Sequence, residues 1–153
     1  ALEKLYLEGR IRAIGVSNFP ERHIRELLKT AEIVPMVNQM EFHPYIIQQN
    51  LIDYCRELSI QYEGWSPFMR GKIFEIDLFR ELSYRYQKSI AQIALRWSLQ
   101  KGVVAIPKSS RKDRIISNAD IFDFEISIDD MNLINKLDRN QAVVGLHPDS
   151  FEL

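Results

Sequence analysis

Short apolar-rich runs alternate with amphipathic segments along the chain, and this rhythm limits its possible folds more than any other feature. The runs lie at 11–16, 34–40, 60–64 and 103–106. Short apolar runs bounded by turn residues are typical of buried strands, whereas the segments between them have helical spacing. Because strands that alternate with helices build parallel sheets, the sequence predicts an α/β fold with four parallel strands.

Capping residues and glycines mark the predicted helices. Ser89 and Gln92 have the spacing of a capping box at the start of one helix, which Gly102 ends. Ser127 and Asp130 have the same spacing before the last helix, which is predicted to end near 137. Apolar spacing predicts other helices at 1–9, 20–31, 48–58 and 111–119. One more helix is predicted between the loop that holds Pro67 and Gly71 and the helix that begins at Ser89. In the helix at 20–31, the predicted buried stripe is Ile24, Leu27, Leu28 and Ala31.

Composition indicates an ordinary globular domain. The 153 residues are 46% hydrophobic, enough for one core, and 20 basic against 21 acidic residues leave a net charge of -1. This balance gives no overall attraction to nucleic acid or to an anionic membrane, and no apolar run reaches the roughly 18 residues that would cross a bilayer. One cysteine and three histidines give no internal disulfide and no metal-binding spacing, so we expect a reducing, cytoplasmic location. Because Ala1 is not a methionine and the chain opens within a helical pattern, we interpret it as truncated.

Four strands and their helices are compatible with two architectures. One is a small open sheet, and the other is half of an eight-stranded barrel, which needs about 250 residues when complete. Periodicity does not distinguish them.

Polar side chains follow the predicted strands where ligand groups lie in parallel β/α folds. A neutral carboxamide ligand would suit Ser17, Asn18 and Gln39, because hydroxyl and amide side chains match both its donors and its acceptor. Gln39 lies in an apolar strand and therefore needs a hydrogen-bond partner. Trp65 could cover a flat ring. Each residue also has a purely structural interpretation. Asn18 could simply cap a helix, Trp65 could be a core residue, and Lys108 and Arg114 could be ordinary surface charges.

Several ordered motifs together resemble one family. They are GVSNF at 15–19, VNQMEFHPY at 37–45, WSPF at 65–68, AQIALRW at 91–97, VVAIPKSSRKDRIISN at 103–118 and IFDFEISIDDM at 121–131. In this order they resemble the C-terminal half of the aldo-keto reductases, which are NADP(H)-dependent carbonyl reductases built as (β/α)8 barrels. The resemblance implies that the chain, 1–153, covers about the last four β/α units, with a C-terminal tail at 139–153.

The resemblance implies a cofactor site along the strand ends. Ser17, Asn18 and Gln39 correspond to the family's ligands for the nicotinamide carboxamide, and Trp65 corresponds to the aromatic residue that stacks on the nicotinamide. A tryptophan there is similar to the bacterial diketogluconate reductase and prostaglandin F synthase-like branch. Ser66 and Phe68 correspond to the family's loop beside the cofactor pyrophosphate. Lys108, Ser109 and Arg114 correspond to its clamp on the adenosine 2′-phosphate, and Asn118 corresponds to a position near the adenine.

The resemblance also implies what is absent. The family's catalytic Asp, Tyr, Lys and His come from the first half of the barrel, and His43 in the HPY segment is not the catalytic histidine. The complete protein is therefore expected to reduce an aldehyde or ketone, and this fragment alone is expected to be inactive. Its expected partners are the carbonyl substrate and the missing half of the barrel. A non-catalytic NADP(H)-binding or assembly module, self-associating through open sheet edges, is the alternative.

Overall fold

The computed structural model describes residues 1–143, so the predicted tail at 139–153 lies outside the described residues from 144 onward. Its strands are β1 (Gly15–Ser17), β2 (Val37–Glu41), β3 (Gln61–Trp65) and β4 (Val104–Ala105). They form one parallel sheet in the order β1-β2-β3-β4. The α/β fold with four parallel strands is therefore confirmed.

Each strand lies beside its neighbour in sequence, and this order separates the two architectures that the sequence left open. In an open doubly wound sheet the strand order reverses at a switch point, whereas barrel strands follow one another around the sheet without reversal. The observed order is that of a barrel segment.

Seven α-helices and one 3₁₀ segment accompany the strands in the described part of the chain. The helices are α1 (Leu2–Leu7), α2 (Glu21–Leu27), α3 (Gln49–Glu57), α4 (Asp77–Tyr86), α5 (Ile90–Gln100), α6 (Lys112–Ala119) and α7 (Ile128–Asn135), and the 3₁₀ segment is Met69–Glu75. Within residues 1–143, no helix has the length and apolar character to cross a membrane.

Three of the four strands are shorter than predicted because prolines interrupt the hydrogen-bond ladder, whereas β3 (Gln61–Trp65) keeps the predicted length. Pro35 has no N–H group, so β2 begins at Val37, and the ladder with the first strand starts where Met36 N donates to Ile14 O at 2.7 Å. The predicted strand at 11–16 is consequently reduced to β1, which includes Ser17. Pro107 limits β4 in the same way.

The two predicted capping boxes have different outcomes. At α5 both halves form: Gln92 N donates to Ser89 Oγ, and Ser89 N donates to Gln92 Oε1. At α7 only the first half forms, with Asp130 N donating to Ser127 Oγ at 3.2 Å. The Asp130 carboxylate instead accepts hydrogen bonds from Arg85 and from Tyr86 Oη. The prediction of a reciprocal bond from Ser127 N to the Asp130 carboxylate was wrong, because this carboxylate binds residues from another helix.

The predicted stripe on the second helix is only partly buried. Ile24 is fully buried, whereas Leu27 and Ala31 are partly exposed along a surface groove of about 350 Å³ beside Val16. Leu28 packs against the edge of the core. The predicted helix at 20–31 was too long, because α2 ends at Leu27 and two residues of the predicted stripe, Leu28 and Ala31, lie beyond it. Helical spacing also does not reveal how much neighbouring chain covers the stripe.

The core lies on the helix side of the sheet. Asn38 and Met40 of β2 and Tyr62 and Gly64 of β3 are buried there, while the alternate residues on the opposite face are mostly part-exposed. Gly64 is required by packing, since a Cβ atom would lie 2.9 Å from Phe42 Cβ and 3.0 Å from Val103 Cγ1. The open face carries polar side chains near the carboxyl ends of the strands.

Candidate functional site

The turn after β1 is held to the backbone of β2. Ser17 Oγ donates to Gln39 O at 3.2 Å, and Asn18 N donates to the same carbonyl oxygen at 2.9 Å. Asn18 has a φ of 58°, a left-handed conformation that asparagine adopts more readily than most residues. Both side chains are exposed at the carboxyl end of β1.

Trp65 lies next to this turn although it is distant in sequence. Its indole Nε1 donates to Asn18 Oδ1 at 3.3 Å, and the side chain is only partly buried. The interpretation of Trp65 as a core residue is therefore wrong. Within residues 1–143 the Asn18 amide nitrogen donates to no acceptor, so its N–H groups are available to a ligand carbonyl.

Gln39 has the partner that the sequence required. Its Nε2 donates to Glu63 Oε1 at 2.5 Å, across a register in which the two residues face each other on β2 and β3. Glu63 is half-buried on the open face. Sequence reasoning noted neither residue as the partner of the other, because only strand register reveals that they are opposite.

Asn38 supports the turn from the core side and was also missed. It is completely buried, and its Nδ2 donates to Phe19 O at 2.8 Å. Its Oδ1 has no partner in the described structure. Together with Gln39 O, this amide fixes the backbone on both sides of Asn18. A polar residue inside an apolar strand was the available signal.

The loop after β3 includes Ser66 and Phe68. Ser66 has a φ of 60° and its carbonyl accepts from Met69 N at 3.0 Å, which begins a tight turn. The Phe68 ring packs against the core and lies 6.2 Å from the Phe74 ring. Phe68 could thus offer a ligand its backbone rather than its ring.

The predicted phosphate ligands form a second group after β4. Lys108 and Arg114 are exposed, and neither side chain forms an ion pair with any residue from 1 to 143. Ser109 Oγ accepts from Arg111 N at 3.2 Å just before α6, and Asn118 is half-buried on that helix. No hydrogen bond joins this group to Asn18 or Trp65 in the described structure.

The parallel sheet nevertheless directs both groups to one edge. Ile106 N donates to Gly64 O at 3.3 Å, so the chain that leads to Lys108 leaves the sheet beside the chain that leads to Ser66. The edge therefore combines a cluster of hydroxyl, amide and indole groups with unpaired cations. This arrangement could bind a ligand with a flat amide-bearing ring at one end and an anion at the other.

A buried ionisable pair lies beyond the end of β2. His43 is completely buried, its Nε2 lies 2.9 Å from Glu41 Oε1, and its Nδ1 accepts from Tyr45 N at 3.3 Å. Glu41 Oε1 also accepts from Val143 N at 2.9 Å. His43 is thus enclosed by structural hydrogen bonds and is not presented to the open face.

Because of this burial, stability is expected to fall as the pH decreases below the ordinary histidine pKa. Burial lowers the pKa of His43 from 6.5, against the opposing effect of Glu41. The unfolded chain therefore takes up the proton first, and the folded state loses stability as pH falls through 6.5. Urea unfolding between about pH 7.5 and about pH 5.5 should show a lower free energy of unfolding at the lower pH.

The His43→Gln variant serves as the control for this pH dependence. It removes the titrating group, so its free energy of unfolding should change less between the same two pH values. An unchanged pH dependence in the variant would assign the effect to other groups.

Comparison with known proteins identifies the family. The model of the aldo/keto reductase family matches residues 1–139. Glyoxal reductase of Bacillus subtilis strain 168 is 55% identical over 149 residues, which cover 97% of this chain and 54% of that protein. The solved structure of a Gox0644 variant in complex with NADPH has a TM-score of 0.94 at 33% identity, covering 100% of this chain and 56% of that one.

A second solved structure agrees. The aldo-keto reductase of Bombyx mori in complex with NADP has a TM-score of 0.86 at 31% identity, covering 95% of this chain and 50% of that chain. This chain therefore spans about half the length of the relatives it matches. Its sheet corresponds to about half of a (β/α)8 barrel, as the sequence predicted. By motif, by fold and by similarity along its described length, the chain belongs to the aldo/keto reductase family.

Proposed function

We propose that the chain forms the NADP(H)-binding half of a carbonyl reductase. The observation that carries this proposal is the convergence of Ser17, Asn18, Gln39 and Trp65, which hydrogen bonds join into one cluster at the carboxyl edge of the sheet. Two solved relatives whose structures contain NADPH or NADP have the same fold over nearly the whole of this chain.

The residues present fit the nicotinamide end of such a cofactor. Asn18 offers unsatisfied N–H groups to the carboxamide oxygen, and Gln39 retains its Oε1 as an acceptor for the carboxamide N–H. The partly exposed Trp65 indole can stack on the ring. When bound, the cofactor supplies the hydride for carbonyl reduction, whereas these side chains hold one ring face toward the substrate.

The unpaired cations fit the other end of the cofactor. Lys108 and Arg114 can bind the 2′-phosphate that distinguishes NADPH from NADH, since a guanidinium group forms bidentate hydrogen bonds with a phosphate. Ser109 adds a hydroxyl close to them. The backbone turn at Ser66 and Phe68 would contact the pyrophosphate, and Asn118 would lie near the adenine.

The activity belongs to a protein about twice as long as this chain. Its other half is proposed to supply the proton donor for the alkoxide, and the chain alone is proposed to be inactive. Glyoxal reductase is a similar protein, which supports an aldehyde or ketone of small size as substrate.

Titration with NADPH tests the proposal. Binding should quench the fluorescence of Trp65 because the indole stacks on the nicotinamide, and the signal should be lost in Trp65→Phe while NADPH still binds by calorimetry. Titration should use the protein in the form in which it is expressed. Absence of any NADPH binding would overturn the proposal, and an unchanged signal in Trp65→Phe would remove Trp65 from the site.

A non-catalytic assembly module is the second candidate. Its support is that β1 and β4 each pair with one strand only among residues 1–143, and exposed strand edges favour association. This candidate requires dimers or larger assemblies in light scattering, and a monomer that binds NADPH would contradict it.

A further inference from the structure

Glu63 places a carboxylate beneath the proposed nicotinamide site. It faces Gln39 directly across the register of β2 and β3, and Gln39 Nε2 donates to its Oε1 at 2.5 Å. Trp65 lies two residues further along β3, so its side chain emerges on the same face as Glu63. The carboxylate is therefore one hydrogen bond away from a proposed carboxamide ligand and one layer below the proposed stacking ring.

The charge of Glu63 is not balanced by a cation. No ion pair within residues 1–143 includes Glu63, and its bond from Gln39 is its one hydrogen bond there. The other carboxylate within the strands, Glu41, differs because its Oε1 lies 2.9 Å from His43 Nε2 and accepts from Val143 N. The open face thus carries a negative charge whose field reaches any ligand that occupies it.

Glu63 also orients the Gln39 amide. A carboxylate only accepts hydrogen bonds, so the Gln39 NH2 group must face Glu63 and its Oε1 must face away. If Glu63 had only a structural role, its function would be to satisfy and orient this one amide. The charge itself has a further consequence, because the two forms of a nicotinamide differ in charge.

We propose that Glu63 sets the relative affinity of the site for oxidised and reduced nicotinamide. This inference rests on the proposed function. The oxidised ring carries a positive charge and the reduced ring is neutral, so a nearby unpaired carboxylate attracts the oxidised form selectively. Glu63 thereby favours retention of NADP+ over NADPH, whereas Gln39 and Trp65 bind features common to both.

Glu63→Gln separates the charge from the hydrogen bond. The new amide oxygen still accepts from Gln39 Nε2, but the negative charge is gone. Calorimetric titration with NADP+ and with NADPH should show that the ratio of NADPH affinity to NADP+ affinity rises by roughly 3- to 10-fold, mostly through weaker NADP+ binding. The increase should be smaller at high salt if solvent reaches the carboxylate.

Two further variants complete the experiment. Glu57→Gln removes the same charge from an exposed position at the end of α3, a few residues before β3 begins. This position is at the amino end of the strand, far from the proposed site, so the ratio of NADPH affinity to NADP+ affinity should not change. Glu63→Ala also removes the hydrogen bond, so it should weaken both cofactor forms in addition to changing the ratio. Thermal unfolding verifies that each variant is folded.

The outcomes distinguish this inference from the proposed function. If the unaltered protein binds neither cofactor form, the proposed function fails and the inference fails with it. If both forms bind and Glu63→Gln changes their affinities equally or not at all, the inference alone is overturned. A ratio that shifts in Glu63→Gln but not in Glu57→Gln supports it.

Discussion

Replacement of both Lys108 and Arg114 by alanine is expected to lower NADPH affinity by about 100-fold, with NADH affinity changed by less than about twofold. Both cations are exposed and unpaired in the described structure, so no internal partner has to be given up when they bind an anion. Each charge-assisted hydrogen bond to a phosphate contributes about 1.5 kcal/mol or more, and two such losses give the expected factor.

Arg111→Ala provides the matched control. Arg111 lies in the same segment and is exposed, but it already forms an ion pair with Asp113 at 2.6 Å. Its removal changes the local charge without removing an available anion ligand, so we expect an effect of less than about threefold on NADPH affinity. Titrations with NADPH, NADH and 2′,5′-ADP would measure the affinities of the unaltered protein, the double variant and Arg111→Ala. Equal losses for NADPH and NADH would contradict the assignment of this group to the 2′-phosphate.

Trp97→Ala is expected to be the most destabilising change, with a loss of about 3–5 kcal/mol in the free energy of unfolding. Trp97 is 1% exposed, stacks on Phe42 with ring centroids 4.8 Å apart, and donates from Nε1 to Asn135 Oδ1 at 3.1 Å. Truncation would leave a cavity beside Phe42 and an Asn135 oxygen without its hydrogen bond. Urea unfolding followed by circular dichroism would measure the loss.

Trp65→Ala serves as the comparison because it removes the other tryptophan. Trp65 is only partly buried and forms one long hydrogen bond to Asn18, so we expect a stability loss of about 1 kcal/mol or less. It should instead weaken NADPH binding by about tenfold through lost stacking. Similar stability losses for the two variants would contradict the distinction between a core tryptophan and a binding-site tryptophan.

The grouping of site residues at the strand ends could be predicted from the sequence, because parallel strands bring their carboxyl ends together. Ser17, Asn18 and Trp65 could be grouped in advance for this reason, and the structure connects them through Trp65 Nε1 and Gln39 O. Their role as cofactor ligands stays a prediction. The same rule placed Lys108 at that edge, but it did not show whether the Lys108 side chain already forms an ion pair with an acidic residue.

The supporting residues could not be predicted in this way. Gln39 could be identified from sequence as an amide that needs a partner, but its pairing with Glu63 depends on the register between β2 and β3. Asn38 fixes the turn at Phe19 through a bond made in the core. Hydrogen bonds between residues far apart in sequence depend on ångström-scale separations, which no local pattern specifies.

The sequence by itself determined the alternation of helices and strands, the parallel arrangement and the edge where the polar groups gather. These follow from periodicity and chain connectivity, which are local properties. The tertiary structure alone decided the shortened β1 and β4, and the different environments of Trp65, which is partly exposed, and Trp97, which is buried. Those outcomes depend on which surfaces meet across the fold, because burial, register and charge pairing are properties of contacts between distant segments.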